Sequence, residues 1–273
     1  MKSKHFLSKL MSWIILSILS FYILIPLYSL IVCSFKTPLE TTTAPLALPS
    51  HLLFSNYSAA WKDASLGESL LNSLIFAGSS VIIAWILGGP AAYALSKKGK
   101  GISQITLFIL ICTSLPMLLM IIPLYLWFIK LHMNNIIGAL IVNGGIALPF
   151  SILLLRSFMV SIPIEYEEAA LLDGASRWQI FWDIIFPITL PAFLTVGLLN
   201  FVSGWNAFLI PLTFLQDPSQ YTGVISFYTL SGQYTSPWGE MYAAALIISL
   251  PVLALLLWTQ KYFVKGLTLG GLK

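Results

Sequence analysis

Charged residues are so sparse along this chain that they act as boundaries. Apart from 41–61, which three threonines, two prolines and His51 mark as a loop, seven stretches of at least 20 residues contain none of them: 10–35, 69–96, 101–129, 131–155, 184–216, 218–239 and 241–260. A helix needs about 20 mainly apolar residues to cross the hydrocarbon of a bilayer. The stretch 218–239 fails that test, because hydroxyl, amide, glycine and proline residues crowd it, among them Ser219, Gln220, Thr222, Gly223, Ser231, Gly232 and Gln233. It reads as an aqueous or interfacial loop. The other six predict spanning helices over roughly 12–33, 69–95, 103–129, 135–156, 189–214 and 241–262. The expected class is an all-α integral membrane protein with six transmembrane helices.

Composition closes off the alternatives. Of 273 residues, 58% are apolar and only 9% charged, against about 25% charged in an ordinary soluble domain. A soluble enzyme, a disordered tail and a disulfide-stapled scaffold are excluded. Six crossings return both termini to one side. Lys2, Lys4, Lys9, Lys97, Lys98, Lys100, Arg156, Arg177, Lys261, Lys265 and Lys273 fall on that side, and only Lys36, Lys62 and Lys130 fall opposite. Basic residues are retained in the cytoplasm, so both termini are expected there. The net charge of +4 is then a topology signal, and no basic cluster suits a nucleic acid. The first apolar run is too long for a cleaved signal and lacks a small-residue cleavage site, so it reads as a retained anchor. Cys33 and Cys112 suggest neither a disulfide nor a metal site.

Mid-span ionisable residues, which mark proton- and ion-coupled carriers, are nearly absent. His5, His51 and His132 lie in loops or near span ends without metal-ligand spacing. No phosphate-binding loop of the G-x-x-x-x-G-K-[ST] type exists, and no nucleophile–base pair stands out. No catalytic residue, metal or cofactor is therefore expected on this chain, and energy for uphill transport would come from another subunit. The polar residues within the spans are uncharged: Asn72, Asn143, Thr195, Asn200, Ser203, Trp205 and Asn206. Such groups either hydrogen-bond a neutral solute or tie helices together. Asn72, Asn143, Asn200, Trp205 and Asn206 are the candidates for a substrate pathway. Pro26, Pro90, Pro116, Pro123, Pro149, Pro191, Pro211 and Pro251 are expected to kink the spans.

One loop, 157–188, is more informative. Pro163 suits the start of a helix, and Glu165, Glu167 and Glu168 complement its positive end. Gly174 is a natural stop. Ser176 and Gln179 then form a capping box opening a second helix, with Ile180, Phe181, Ile184 and Ile185 on its apolar face. Pro187 and Pro191 mark the return to the membrane. Glu168-Ala169-Ala170, then Asp173-Gly174-Ala175, then Phe181, Ile185, Pro187 and Pro191 resemble the EAA motif of binding-protein-dependent ABC importer permeases. Trp205-Asn206 and the closing Lys261-Tyr262-Phe263-Val264-Lys265-Gly266-Leu267-Thr268 are similar to the maltose-type carbohydrate permeases, as is Leu269–Lys273.

The resemblance is densest over 69–273 and implies a type I ABC importer permease fold in a prokaryotic inner or plasma membrane. It implies an N-terminal helix and external loop over 1–68, then a core with a coupling loop at 157–188 and an external loop at 215–240. Glu168, Ala169, Ala170, Asp173, Gly174 and Ala175 would form the coupling helix and its turn, the two alanines letting a partner approach closely. The implied partners are a second homologous permease chain, two cytoplasmic ATPase subunits holding ATP and Mg, and an extracytoplasmic solute-binding protein. The cargo would be a sugar or oligosaccharide; a glycerol-phosphate-like solute, or a stand-alone channel or carrier, are the alternatives. Tyr221, Phe227, Tyr228, Tyr234 and Trp238 in the external loop suit stacking on sugar rings and interfacial anchoring equally well.

Overall fold

The computed structural model describes residues 2–231 and 237–270, and for 2–8 and 261–270 the backbone alone. Tyr234 and the side chains of the Lys261–Thr268 motif and of Leu269–Lys273 lie outside the described residues. Every regular element among the described residues is helical. These elements include α1 (Lys2–Cys33), α2 (Leu66–Ser96), α3 (Ile102–Thr113), α4 (Met117–Lys130), α5 (Ile136–Met159), α6 (Glu165–Leu172), α7 (Arg177–Trp205), α8 (Leu209–Phe214) and α9 (Trp238–Gly270). Five are long and apolar enough to cross a membrane, and α3 with α4 makes a sixth if that bent pair is one span.

The pair is the first departure from expectation. A single helix over 103–129 is replaced by two helices meeting at 94°. Pro116 has no N–H to continue the ladder, and it disfavours helical geometry at the residue before it. Its own ψ of 122° turns the chain into α4.

The second departure lies in α7, expected to begin near residue 189 and found to begin at Arg177. The second helix of the 157–188 loop and the membrane span are one element, so Pro187 and Pro191 do not interrupt it. A widened turn at Ile180–Ile185 explains this: the N–H of Phe186 bonds the Phe181 carbonyl five residues back, and Pro187 follows. α2 repeats the device at Ala84–Gly88, where the N–H of Gly89 bonds the Ala84 carbonyl and Pro90 follows. Such π turns shift the ladder by one residue, so a proline enters without breaking the helix.

The chain divides into two compact units, Met1–Gly67 with Ser226–Leu250, and Glu68–Ile225 with Pro251–Lys273. In the first, α1 exposes its apolar side chains all round from Leu10 to Leu27, a surface suited to lipid. The segment after it is pinned by buried Lys36, whose ammonium donates to the Ala44 carbonyl at 2.7 Å and the Pro45 carbonyl at 3.2 Å. Nearby, Ser50 and the Thr37 backbone hold the Glu40 carboxyl down at about 2.

The second unit has two apolar clusters. One joins Ala84, Ala92, Leu155, Phe181, Ile185, Phe193 and Val196 from α2, α5 and α7 with Ala170 from α6. Trp85 donates its indole N–H to the Phe193 carbonyl at 3.0 Å, tying α2 to α7. The other cluster joins Phe76, Ile121, Ala139, Val142, Ile210 and Phe214. Outside them, Phe108, Leu118, Leu119 and Ile122 are each about two-thirds exposed, as helices facing lipid require.

Candidate functional site

The short helix α6 is held from both ends. Its start is uncapped by any side chain, with Ile164 in the capping position and Pro163 just before it, so the acidic first turn of Glu165, Glu167 and Glu168 complements its N–H groups. At its other end the Ala175 N–H bonds the Ala170 carbonyl at 3.0 Å and the Gly174 N–H bonds the Leu171 carbonyl at 3.1 Å. This is the Schellman closure, and Gly174 takes its left-handed position at φ +83°. The capping box follows at once: the Gln179 N–H donates to Ser176 Oγ at 3.3 Å and the Ser176 N–H to Gln179 Oε1 at 2.8 Å. A rigid corner therefore joins α6 to α7 with no slack residue between the two caps.

The residues of the EAA-like motif divide between two faces. Ala170 is 8% exposed and packs into the cluster shared by α2, α5 and α7; Ala175 is half-buried beside it. Glu168, Ala169 and Asp173 point outward with Leu171 and Leu172, the last 89% exposed. Of the two alanines, Ala169 is open to a partner, and Ala170 allows α6 to lie close on its own chain.

Glu167 is the residue that sequence reasoning missed. It forms an ion pair with Lys97 at the end of α2, and Tyr93 donates its hydroxyl to the same carboxylate at 3.2 Å. The Lys97 ammonium stands 4.1 Å above the Tyr93 ring. The partners are 70 residues apart in sequence, and no local pattern pairs them. The pair is partly exposed, so its contribution is about 1 kcal/mol, enough to orient a helix of eight residues. Glu167→Lys alone is expected to reduce transport several-fold, and exchanging the charges with Lys97→Glu to restore most of it. A double variant no better than the worse single one would show that the pair does not orient α6.

Away from α6, a cavity of about 400 Å3 is lined by Asn143, Asn200 and Ser203 among apolar side chains that include Met117, Phe150 and Phe208. Two helix breaks meet there. Met117 begins α4 just after the Pro116 bend, and Ala207 and Phe208 lie in the break between α7 and α8. Non-helical backbone at membrane depth is tolerated where it lines a cavity or is buried in protein. Asn200 is buried and donates to Ser151 Oγ at 2.9 Å, while Ser80 donates to the Asn200 carbonyl at 3.3 Å. Asn143 reaches the Phe76 carbonyl at 3.5 Å. Gly204 sets the helix spacing, because a Cβ on it would lie 2.9 Å from Ala77 Cα and 3.3 Å from Asn143 Nδ2.

The cavity thus brings together Asn143 and Asn200, with Ser203 added. Asn72 stands elsewhere, donating to the Ser219 and Tyr221 carbonyls at 2.8 and 3.1 Å and fastening that loop to α2. Asn206 donates to the Val202 carbonyl at 2.8 Å and closes the end of α7. Trp205 is buried and stacks on Phe201 with ring centroids 5.6 Å apart. A sequence period cannot tell these roles apart, because each residue is a polar group on an apolar helix.

Residues 80–269 match the family described as binding-protein-dependent transport system inner membrane components. The chain belongs to this family. The matched region contains the α6–α7 corner and the whole cavity lining. The permease is 33% identical to the diacetylchitobiose uptake system permease protein NgcG of Streptomyces coelicolor, over 86% of its own length and 79% of that protein. It is likewise 33% identical to the melibiose/raffinose/stachyose import permease protein MelC of Bacillus subtilis, over 91% of each chain. Among solved structures it resembles a chain of a bacterial ABC transporter that imports the acidic polysaccharide alginate. That likeness has a TM-score of 0.80 at 26% identity and covers 93% of this permease and 96% of that chain. It is an inner membrane permease subunit of an ABC importer, a class of subunit that is not itself catalytic.

Proposed function

We propose that this permease conducts a neutral sugar or oligosaccharide through the cavity at Asn143, Asn200 and Ser203. One observation carries the reading: two broken helices meet at a cavity whose polar lining is carboxamide and hydroxyl, with no charged side chain. Carboxamides and hydroxyls complement sugar hydroxyls, whereas a phosphate-bearing solute would call for cations. The uptake of diacetylchitobiose by the NgcG system and of raffinose-type sugars by the MelC system supports a sugar cargo. The alginate importer handles an acidic polymer; the uncharged lining here favours a neutral one.

In this reading Glu168, Ala169, Leu172 and Asp173 face a cytoplasmic ATPase subunit, with Ala170, Gly174 and Ala175 fixing the corner behind them. A second permease chain completes the pathway, a pair of ATPase subunits holds ATP and Mg, and an extracytoplasmic binding protein delivers the sugar. Both termini are cytoplasmic, as the basic residues indicate. Residues 1–68 form an N-terminal span and external loop, and 69–273 form the core, with its coupling loop at 157–188 and external loop at 215–240. The rigid corner at Gly174 joins the docking face to α7, so a displacement there reaches the cavity through one continuous helix.

The test is reconstitution in proteoliposomes with the ATPase, second permease and binding protein of its own system. ATP-dependent accumulation of a labelled neutral oligosaccharide is expected, with no hydrolysis by the isolated chain. Uptake of a sugar phosphate in preference to the neutral sugar would overturn the cargo, and hydrolysis by the chain alone would overturn the division of labour.

A further inference from the structure

The turn between α2 and α3, Lys97–Gly101, carries three lysines. Beside it a groove of about 510 Å3 runs between the turn, α3 and α5. Lys98 and Arg156 line its mouth; Lys98 is exposed and Arg156 half-buried. Among the described residues the only ion pair is Lys97–Glu167, so neither of these cations meets a carboxylate. Arg156 donates Nε to the Leu95 carbonyl at 2.8 Å, which fixes its guanidinium and leaves both terminal NH2 groups for an acceptor from outside. A partly desolvated guanidinium is stabilised when an anion supplies the missing charge.

The groove changes character with depth. Ser103 and Thr106 line it on the first turns of α3, then Leu107 and Leu110, which are 57% and 51% exposed. At 1.5 Å per residue, Leu110 lies about 12 Å along the helix from Ile102. Cations, then hydroxyls, then an aliphatic wall follow the same order as the phosphate, glycerol ester and acyl chain of a phospholipid. α3 also opens at Gly101, φ +84°, without a side-chain cap, so its first N–H groups add to the positive end of the groove.

We propose that this groove is a binding site for an anionic phospholipid. Its phosphate rests between Lys98 and Arg156, and one acyl chain runs along Leu107 and Leu110. A free phosphate would use the cations and leave the aliphatic wall bare, which is why the observations favour a lipid. Lys97 lines the same groove, so the bound headgroup lies next to the ion pair that orients α6, and the lipid composition of the membrane would bear on coupling.

The full-length permease, isolated in neutral detergent with whichever subunits accompany it, is titrated with phosphatidylglycerol and with phosphatidylcholine of the same acyl chains. Native mass spectrometry counts the lipids retained. One phosphatidylglycerol per chain is expected to be retained in preference, and Lys98→Gln with Arg156→Gln to weaken it about thirtyfold, since each basic residue near an anionic lipid contributes to attraction. Thr106→Trp, which fills the groove and leaves every charge in place, is expected to weaken it as well, so the test survives if the Arg156 variant fails to insert. Equal retention of the two lipids, or no change in any variant, would overturn the site. Inorganic phosphate at millimolar concentration displacing the lipid completely would show a free-anion site instead. Capture of an ATPase subunit by a photo-crosslinker attached at Lys98→Cys would show that a protein fills the groove.

Discussion

Gly174→Val is expected to lower uptake by at least about tenfold, while the protein still reaches the membrane in normal amount. Gly174 has open space where a Cβ would go, with nothing within 4 Å, so bulk is not the obstacle. The obstacle is its φ of +83°, which costs an ordinary residue about 1–2 kcal/mol and a β-branched one more. The corner would relax that strain by giving up the closing bonds from Ala175 to Ala170 and from Gly174 to Leu171. α6 would then swing on a loosened joint. Gly174→Asn separates this from a steric effect, because asparagine tolerates the left-handed region yet is as bulky as many residues that do not. Uptake by the Asn variant should stay within about threefold of the parent. If both variants transport normally, the corner does not couple α6 to α7; if both fail alike, the glycine is needed for close approach of a partner and not for its backbone angle.

Ser203→Trp is expected to reduce uptake to background and leave ATP hydrolysis by the assembled transporter in place. Ser203 is exposed and lines the cavity beside Asn143 and Asn200, and an indole there would occupy space that a sugar ring needs. Ser203→Ala keeps the space and removes one hydroxyl. Loss of about 1 kcal/mol of hydrogen bonding should appear as a rise in KM of about fivefold with kcat little changed. Uptake measured against sugar concentration, alongside phosphate release, distinguishes the outcomes. Normal transport by the Trp variant would remove this cavity from the pathway.

How much of this was legible in the sequence depends on the kind of interaction. The spans were, because membrane insertion is a composition rule, and the gaps between charges located them to within a few residues for α2 and α5. The Ser176–Gln179 capping box and the Gly174 stop were also legible, since both rest on contacts within six residues. Prolines were not. Pro116 bends the chain by 94°, while Pro90 and Pro187 pass inside continuous helices. Pro26, Pro123, Pro149 and Pro251 also lie inside helices, with no widened turn before them, so whether a proline bends the chain, follows a widened turn or passes without one is not encoded in a local pattern. The Lys97–Glu167 pair was hidden for the same reason. Among the asparagines, Asn72 and Asn200 look alike in sequence, and only the packing of other helices makes one a loop anchor and the other part of the cavity wall.

The widened turns have a consequence for how the pathway is aimed. Each inserts one residue more than an ordinary turn would hold, and a residue corresponds to about 100° around a helix axis. Everything beyond Ile185 in α7 is therefore rotated relative to the phase set at Ser176, and Asn200 and Ser203 face the cavity in that rotated frame. Deleting a single residue within Ile180–Ile185 would turn the widened turn into an ordinary one and leave those two groups facing the cavity, whereas the same deletion in a regular turn beyond Ile185 would carry them about a quarter-turn away. The widened turn thus takes up the one residue by which the cap at Ser176 and the polar lining, fifteen to twenty-three positions beyond that turn, would otherwise fall out of phase.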